Sequence, residues 1–117
     1  SAEREYLGGV ITPGLRISME ALESKTARLP TVEIVAPKHA VGKSTVESIQ
    51  SGLYFSTLGA SKEIIHRITE ESFATSKSRP IVIGTGGFAS LFRSAGVFDI
   101  EIPELVLQGL YLAAQMQ

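Results

Sequence analysis

The sequence predicts an α/β fold, because short strand-like runs alternate along it with segments of helical spacing. Three observations carry this prediction. The apolar run 5–11 enters a Pro-Gly turn, a long capped helix begins at Ser44, and the run 80–87 ends in a glycine turn. The 117 residues have room for one domain with one modest core.

Composition excludes several classes of protein. Hydrophobic residues make up 44% and charged residues 20%, as in globular rather than disordered chains. The net charge of -1, without a basic block, disfavours a nucleic-acid surface. No apolar run approaches the roughly 18 residues that span a bilayer, and the absence of cysteine excludes disulfides and thiolate metal sites. We expect a cytoplasmic protein without a membrane or nucleic-acid partner.

The first elements follow from local patterns. The run 5–11 predicts a strand, and Pro13 and Gly14 predict a turn. Ser18 is then expected to cap a helix over Met19–Leu29, and the alternating run 31–36 predicts a second strand. One face of that helix should carry Met19, Leu22, Thr26 and Leu29.

The longest helix is predicted from Ser44 to about Ser72. The order Ser44-Thr45-Val46-Glu47 fits a capping box, in which the serine hydroxyl accepts the amide of Glu47 and the glutamate carboxylate accepts the amide of Ser44. Within the helix, Gly52, Ser56 and Gly59 form a narrow strip without bulky side chains. The strip predicts close approach of another backbone, in this chain or a partner; the alternative is a helix broken near Gly59.

The last third of the chain is predicted to contain two short strands and two helices. The run 80–87 indicates a short buried strand, and a helix over Phe88–Arg93 should follow its glycine turn. A strand-like run at 97–102 and a helix near Glu104–Gln115 complete the pattern. The polar stretch 72–79 is expected to be a loop.

The tetrapeptide Gly42-Lys43-Ser44-Thr45 resembles the end of a phosphate-binding P-loop. That motif needs a glycine five residues before Gly42, at the start of a loop of backbone donors. Pro37 occupies this position and has no N–H, which argues against a phosphate loop. The other interpretation is a helix start with a lysine beside it.

A second glycine pattern resembles a dinucleotide fingerprint. Gly84, Gly86 and Ala89 satisfy it after a strand, and acids follow at Asp99 and Glu101. Too little chain follows for the strands that a dinucleotide fold requires. The alternatives are a tight turn without a ligand, or a turn whose glycines let a ligand approach the backbone.

Metal-binding residues are sparse. Asp99 is the one aspartate among the 12 acidic residues, although metal-assisted phosphoryl transfer usually relies on such short carboxylates. The two histidines, His39 and His66, lie far apart in sequence and have no second ligand at helical spacing. We predict no metal ligand and no catalytic residue in this chain.

Five stretches, in order, resemble the C-terminal half of a type III pantothenate kinase. The resemblance covers nearly the whole chain, and its stretches are YLGGVITPGLRISMEAL, TARLPTVEIVAP, GKSTVESIQSGLYF, IVIGTGGFASL and PELVLQGL. It implies a ribonuclease H-like lobe of the acetate and sugar kinase, Hsp70 and actin superfamily, incomplete at its N-terminus. Residues 1–117 would be the C-terminal lobe of a two-lobed kinase whose N-terminal lobe is absent.

The resemblance also implies an activity and its partners. The family phosphorylates pantothenate with ATP, the first committed step toward coenzyme A. It uses a divalent metal (Mg) and a monovalent cation (potassium or ammonium), and it works as a homodimer. Because the family's phosphate motif and catalytic aspartate belong to the other half, we expect this fragment alone to be inactive. The alternative is a non-catalytic transcriptional regulator of the Bvg accessory factor type on the same fold.

Three residues take roles from the resemblance. Thr45 matches the threonine that hydrogen-bonds pantothenate at the helix start, and Ser44 stands where the family often has asparagine. Gly86 and Gly87 match the superfamily's glycine turn near the adenosine of ATP. A hydroxyl at a helix N-terminus is a suitable place for a carboxylate, so the physical argument agrees with the resemblance.

Overall fold

The computed structural model describes residues 1, 3–25, 29–76 and 78–116. The chain divides into two compact units, Ser1–Pro80 and Ile81–Gln117, and each is described by itself. The first unit contains helices α1 (Leu15–Lys25) and α2 (Thr45–Ser72). The second contains strand β1 (Ile83–Gly84), a 3₁₀ helix (Ala89–Ala95), strand β2 (Ile100–Glu101) and helix α3 (Leu105–Gln115). Helices and a small parallel sheet make the chain α/β, as predicted.

Helix α1 begins earlier than the sequence predicts. Ser18 does not cap the helix, because its amide donates to the carbonyl of Gly14 at 2.9 Å and the residue lies inside the first turn. The helix starts directly after Pro13 and Gly14, since the carbonyl of Gly14 already supplies the first acceptor, and no turn is assigned at these two residues. Its described residues run to Lys25, and Leu29 lies outside the helix.

The buried face of α1 agrees with the prediction only in part. Met19 is 4% exposed, and Leu15, one helical turn earlier, is equally buried although it was not predicted to lie in the helix. Leu22 is half-buried. Leu29 is half-buried but outside the helix, and Thr26 lies outside the described residues.

Helix α2 confirms the prediction of one long helix that starts at a Ser44 cap. Ile49, Leu53 and Tyr54 are buried on one face, and α2 packs against α1. The helix continues through Gly52 and Gly59, so the alternative of a break near Gly59 is wrong. A Cβ built on either glycine meets no atom within 4 Å. Within the part of the chain that the structure describes, neither glycine of the strip therefore meets a neighbouring backbone.

The two strands predicted in the first unit do not form. Residues 5–11 and 31–36 contain no strand, although Val32 is buried in the core. The apolar side chains of the first run face solvent, with Ile11 99% exposed and Tyr6 89% exposed. A strand exists only when a neighbour completes its hydrogen-bond ladder, and neither run pairs with a described residue.

The second unit is built around two short parallel strands. Ile83 faces Ile100, and Gly84 faces Glu101. The ladder continues where the amide of Ile102 donates to the carbonyl of Gly84 at 2.9 Å. The strand predicted over 80–87 is therefore shorter, and it is not fully buried, because Ile83 is 43% exposed. A parallel strand is fully buried when the sheet continues on both sides of it and helices cover both faces. Among the described residues, β1 pairs with β2 alone, so it remains partly exposed.

The helices of this unit lie close to their predicted bounds. The segment after the glycine turn forms the 3₁₀ helix, which ends at Gly96 in the left-handed conformation (φ 63°). Helix α3 follows Glu104, whose carbonyl accepts the amide of Gln108 at 2.9 Å. No described side chain of α3 is buried. Within the described ranges, every helix is too short or too polar to cross a bilayer.

Candidate functional site

A cleft of about 360 Å³ lies at the N-terminus of α2. Residues 35–39 and 41–43 of the preceding loop form most of its wall, and α2 contributes Glu47 and Gln50. The wall combines apolar groups with the cationic side chains of Lys38 and Lys43. This is the place where the helix leaves first-turn amides without carbonyl partners and where its dipole favours negative charge.

A capping box fixes the start of α2, with one difference from the prediction. Ser44 is extended (φ -138°, ψ 166°), and its Oγ accepts the amide of Glu47 at 3.2 Å, as expected. The carboxylate of Glu47, however, accepts the amide of Lys43 at 2.7 Å rather than that of Ser44. The side chain thus reaches one residue further into the loop and ties the cleft wall to the helix.

Gly42 is required by close packing rather than by phosphate binding. A Cβ at this position would overlap the amide nitrogen of Ser48 and would lie 2.6 Å from the carbonyl carbon of Glu47. The loop backbone therefore rests against the first turn of α2. Pro37 lies in the same cleft wall and has no N–H to offer a phosphate. The local geometry favours a capped helix start over a P-loop.

Thr45 is the first residue of α2 and is exposed to solvent. It is not among the residues that line the cleft, but Lys43 and Glu47 on either side of it are. The structure thus places Thr45 at the exposed helix start, and a ligand role for its hydroxyl stays a prediction.

Gly86 and Gly87 lie in the second unit, away in sequence from Thr45, in the turn between β1 and the 3₁₀ helix. Gly86 has a φ of 88°, a conformation in which a residue with a side chain would be strained. Its carbonyl accepts the amide of Ala89 at 3.2 Å. The hydroxyl of Thr85 donates to the carbonyl of Pro103 at 3.4 Å. The structure confirms the tight turn, while a ligand role for the two glycines stays a prediction.

Asp99 and Glu101, the two acids of the dinucleotide pattern, form hydrogen bonds with other groups of this protein. Asp99 Oδ2 accepts the amide of Val82 at 2.8 Å, and Glu101 Oε2 accepts Arg93 Nε at 2.8 Å. The hydrogen bond from Arg93, with its positive charge, lowers the pKa of the Glu101 carboxyl below its ordinary value. Gly84 is a glycine because a Cβ would lie 2.5 Å from the Phe98 ring. These contacts account for the pattern without a dinucleotide.

The two histidines are not brought together in a metal site. His39 lines the cleft, and His66 lies exposed on α2. In the described ranges, no three carboxylate, imidazole or thiol side chains converge in a way that could hold a metal ion.

Sequence reasoning missed Gln50 and Ser51. Gln50 Nε2 donates to the carbonyl of Glu33 at 2.9 Å, and the Ser51 hydroxyl donates to the carbonyl of Ala40. Ser51 is buried, at 6% exposure. A serine on the buried face of a predicted helix is the signal that could have identified Ser51, since buried polar groups need partners, whereas Gln50 is only half-buried.

Known proteins similar to this chain agree on one family. The family model described as type III pantothenate kinase matches residues 1–67. A Legionella pneumophila (strain Corby) protein named type III pantothenate kinase is 53% identical over 116 residues, which cover 99% of this chain and 44% of the relative. Proteins of Francisella tularensis named type III pantothenate kinase 1 (subspecies holarctica, strain OSU18) and 2 (subspecies tularensis, strain SCHU S4) are each 47% identical, with the same coverage.

The chain spans less than half the length of these curated relatives, while the match extends over almost all of the chain itself. More than half of the chain fits the family model. On this similarity, the chain belongs to the type III pantothenate kinase family.

Proposed function

We propose that this chain is the substrate-side, C-terminal lobe of an ATP-dependent pantothenate kinase, in which the Thr45 hydroxyl contacts pantothenate. The observation that carries the proposal is the position of Thr45. Thr45 is an exposed residue at the start of α2, and Lys43 and Glu47, two residues before and after it, line a cleft that also contains Lys38. Pantothenate carries a carboxylate, which the helix dipole and the lysine charges attract.

The rest of the proposed activity depends on groups that the described residues do not supply. ATP would transfer its terminal phosphoryl group to a hydroxyl of pantothenate and leave as ADP, and Gly86 and Gly87 would lie near the adenosine. A divalent metal would neutralise phosphate charge during this transfer. The described residues form no metal-ligand group, so we assign no step to the metal or to the monovalent cation. The lobe is proposed to be ribonuclease H-like and to act in a cytoplasmic homodimer.

The test is pantothenate-dependent release of ADP by the full-length protein, with magnesium and potassium supplied. Release that requires pantothenate supports the kinase. Absence of release from a folded protein contradicts it and shifts support to the non-catalytic regulator.

Thr45 has its own test in the active protein. Thr45→Val removes the hydroxyl and keeps the shape, so we expect the pantothenate KM to rise about fivefold to tenfold. Thr69→Val is the matched control, because the Thr69 hydroxyl donates to the carbonyl of Ile65 within the same helix, at 2.8 Å. An unchanged KM in Thr45→Val would remove Thr45 from the site.

A further inference from the structure

The loop that forms the cleft wall, residues 33–43, is held by three side chains of α2. Gln50 bonds the carbonyl of Glu33, Ser51 bonds the carbonyl of Ala40, and Glu47 bonds the amide of Lys43. We call this segment the cleft loop. Its beginning, its later part and its end are each tied to the helix by a different side chain.

Helical spacing explains why three side chains can act on one loop. Positions 47, 50 and 51 are related by i, i+3 and i+4, so Glu47, Gln50 and Ser51 share one face of α2. The close packing of Gly42 against the first turn adds a contact on the same side. The cleft loop therefore has both polar and steric attachments to a rigid helix.

Ser51 differs from its two neighbours in one respect. Glu47 and Gln50 line the cleft and could also touch a ligand, whereas Ser51 is not a lining residue and is buried. Its hydroxyl bonds the loop beside His39 and Val41, which do line the cleft. A change at Ser51 therefore acts on a bound ligand indirectly, through the cleft loop that its hydroxyl holds.

We propose that Ser51, supported by Glu47 and Gln50, is a positioning residue that sets the affinity for the substrate by holding the cleft loop in its binding geometry. This inference rests on the proposed function, because it takes pantothenate as the ligand of the cleft. A loop that is already ordered has no ordering entropy to lose when the ligand binds, which raises affinity. Loss of the Ser51 bond leaves a carbonyl of the loop without its partner and frees the loop.

The central variant is Ser51→Ala in the full-length protein. We expect the pantothenate KM to rise about fivefold, equivalent to about 1 kcal/mol, while kcat and the ATP KM stay unchanged. Ser56→Ala is the matched control, since it makes the same change on the same helix and the Ser56 hydroxyl donates to the carbonyl of Leu53 within α2, at 3.3 Å. All kinetics are measured well below the unfolding temperature of each variant.

Glu47 supplies a second, graded test. Glu47→Ala removes the acceptor for Lys43, and Glu47→Gln keeps an oxygen in the same place. We expect the pantothenate KM to rise in the alanine variant and to return toward the original value in the glutamine variant. Glu70→Ala, on the exposed side of α2, is the control for loss of a helix carboxylate.

Amide hydrogen exchange of residues 33–43 without ligand separates this inference from the proposed function. Faster exchange across the cleft loop in Ser51→Ala, together with the raised KM, supports the inference. An unchanged pantothenate KM overturns the inference. A fall in kcat together with similar rises in the KM values for pantothenate and for ATP also overturns it. If the unaltered protein releases no ADP with pantothenate, the proposed function fails, and unchanged exchange in Ser51→Ala would then overturn the anchoring as well.

Discussion

Glu47 accepts the backbone N–H of Lys43 at 2.7 Å, while its own N–H donates to Ser44 at 3.2 Å. The first bond joins helix to loop, and the second caps the helix. One glutamate thus secures both the start of α2 and the end of the loop that lines the cleft. The exposed Thr45 lies between the two anchored residues, Ser44 and Glu47, so its position is determined by this pair of bonds.

Ser44 should contribute through its cap alone. Ser44→Ala removes the acceptor for the Glu47 amide and is expected to lower the free energy of unfolding by about 1 kcal/mol. Ser44→Asn keeps a good cap and should restore most of that loss. Urea denaturation measures both. A loss in the asparagine variant equal to that in alanine would show that the hydroxyl has another role.

Gly42 should not tolerate a side chain. The Cβ of Gly42→Ala would meet backbone atoms of Ser48 and Glu47, which cannot rotate away, so we expect a loss of about 1–3 kcal/mol in stability. Gly52→Ala is the opposite case, because its Cβ meets nothing within 4 Å and a helix-interior glycine costs about 1 kcal/mol relative to alanine. It should stabilise the protein. Destabilisation by Gly52→Ala would reveal a neighbouring backbone against the strip in the full-length protein.

Gly84 should be coupled to Phe98. Gly84→Ala places a methyl group against the Phe98 ring and is expected to cost about 1–3 kcal/mol in unfolding free energy. In a Phe98→Ala background the same change should cost about 1 kcal/mol less, because the ring is gone. A double-mutant cycle measures this coupling. Additive effects would contradict the steric explanation.

Glu101 should make stability depend on acid pH. In the folded protein, the hydrogen bond and charge of Arg93 lower the pKa of Glu101 below its ordinary value of 4.5. The ion pair therefore contributes fully to stability above about pH 4.5, and this contribution is lost as the pH falls through the lowered pKa. The protein should therefore lose more stability on acidification than Glu101→Gln does. Denaturation curves between neutral and acid pH compare the two. Glu104→Gln, a nearby glutamate that caps nothing through its side chain, is the control.

Local sequence patterns were enough to predict the elements whose hydrogen bonds lie within the element itself. The Ser44 cap and the length of α2 depend on bonds within the helix, and they were predicted from Ser44, Glu47 and the spacing of apolar residues. Helix α3 after Glu104 and the tight turn at Gly86 were predicted for the same reason. The predicted start of α1 was wrong, because the carbonyl of Gly14 accepts the amide of Ser18 and the helix has therefore begun before Ser18 could act as a cap.

Interactions between distant residues could not be read from the sequence. The run 5–11 has the composition of a strand, but a strand depends on a neighbour, and the structure shows Tyr6 and Ile11 exposed without one. The bonds from Gln50 to Glu33 and from Ser51 to Ala40 span 17 and 11 residues, and no periodicity marks their partners.

The sequence by itself determined that the chain is α/β, that Ser44 caps α2, and that Thr45 lies at the start of this helix. Tertiary structure decided the shape of the cleft. Its wall is a loop without regular structure, whose geometry comes from side chains of α2 that reach across to it. A helix carries its hydrogen bonds within itself, whereas a loop takes its shape from the contacts that the rest of the fold brings to it.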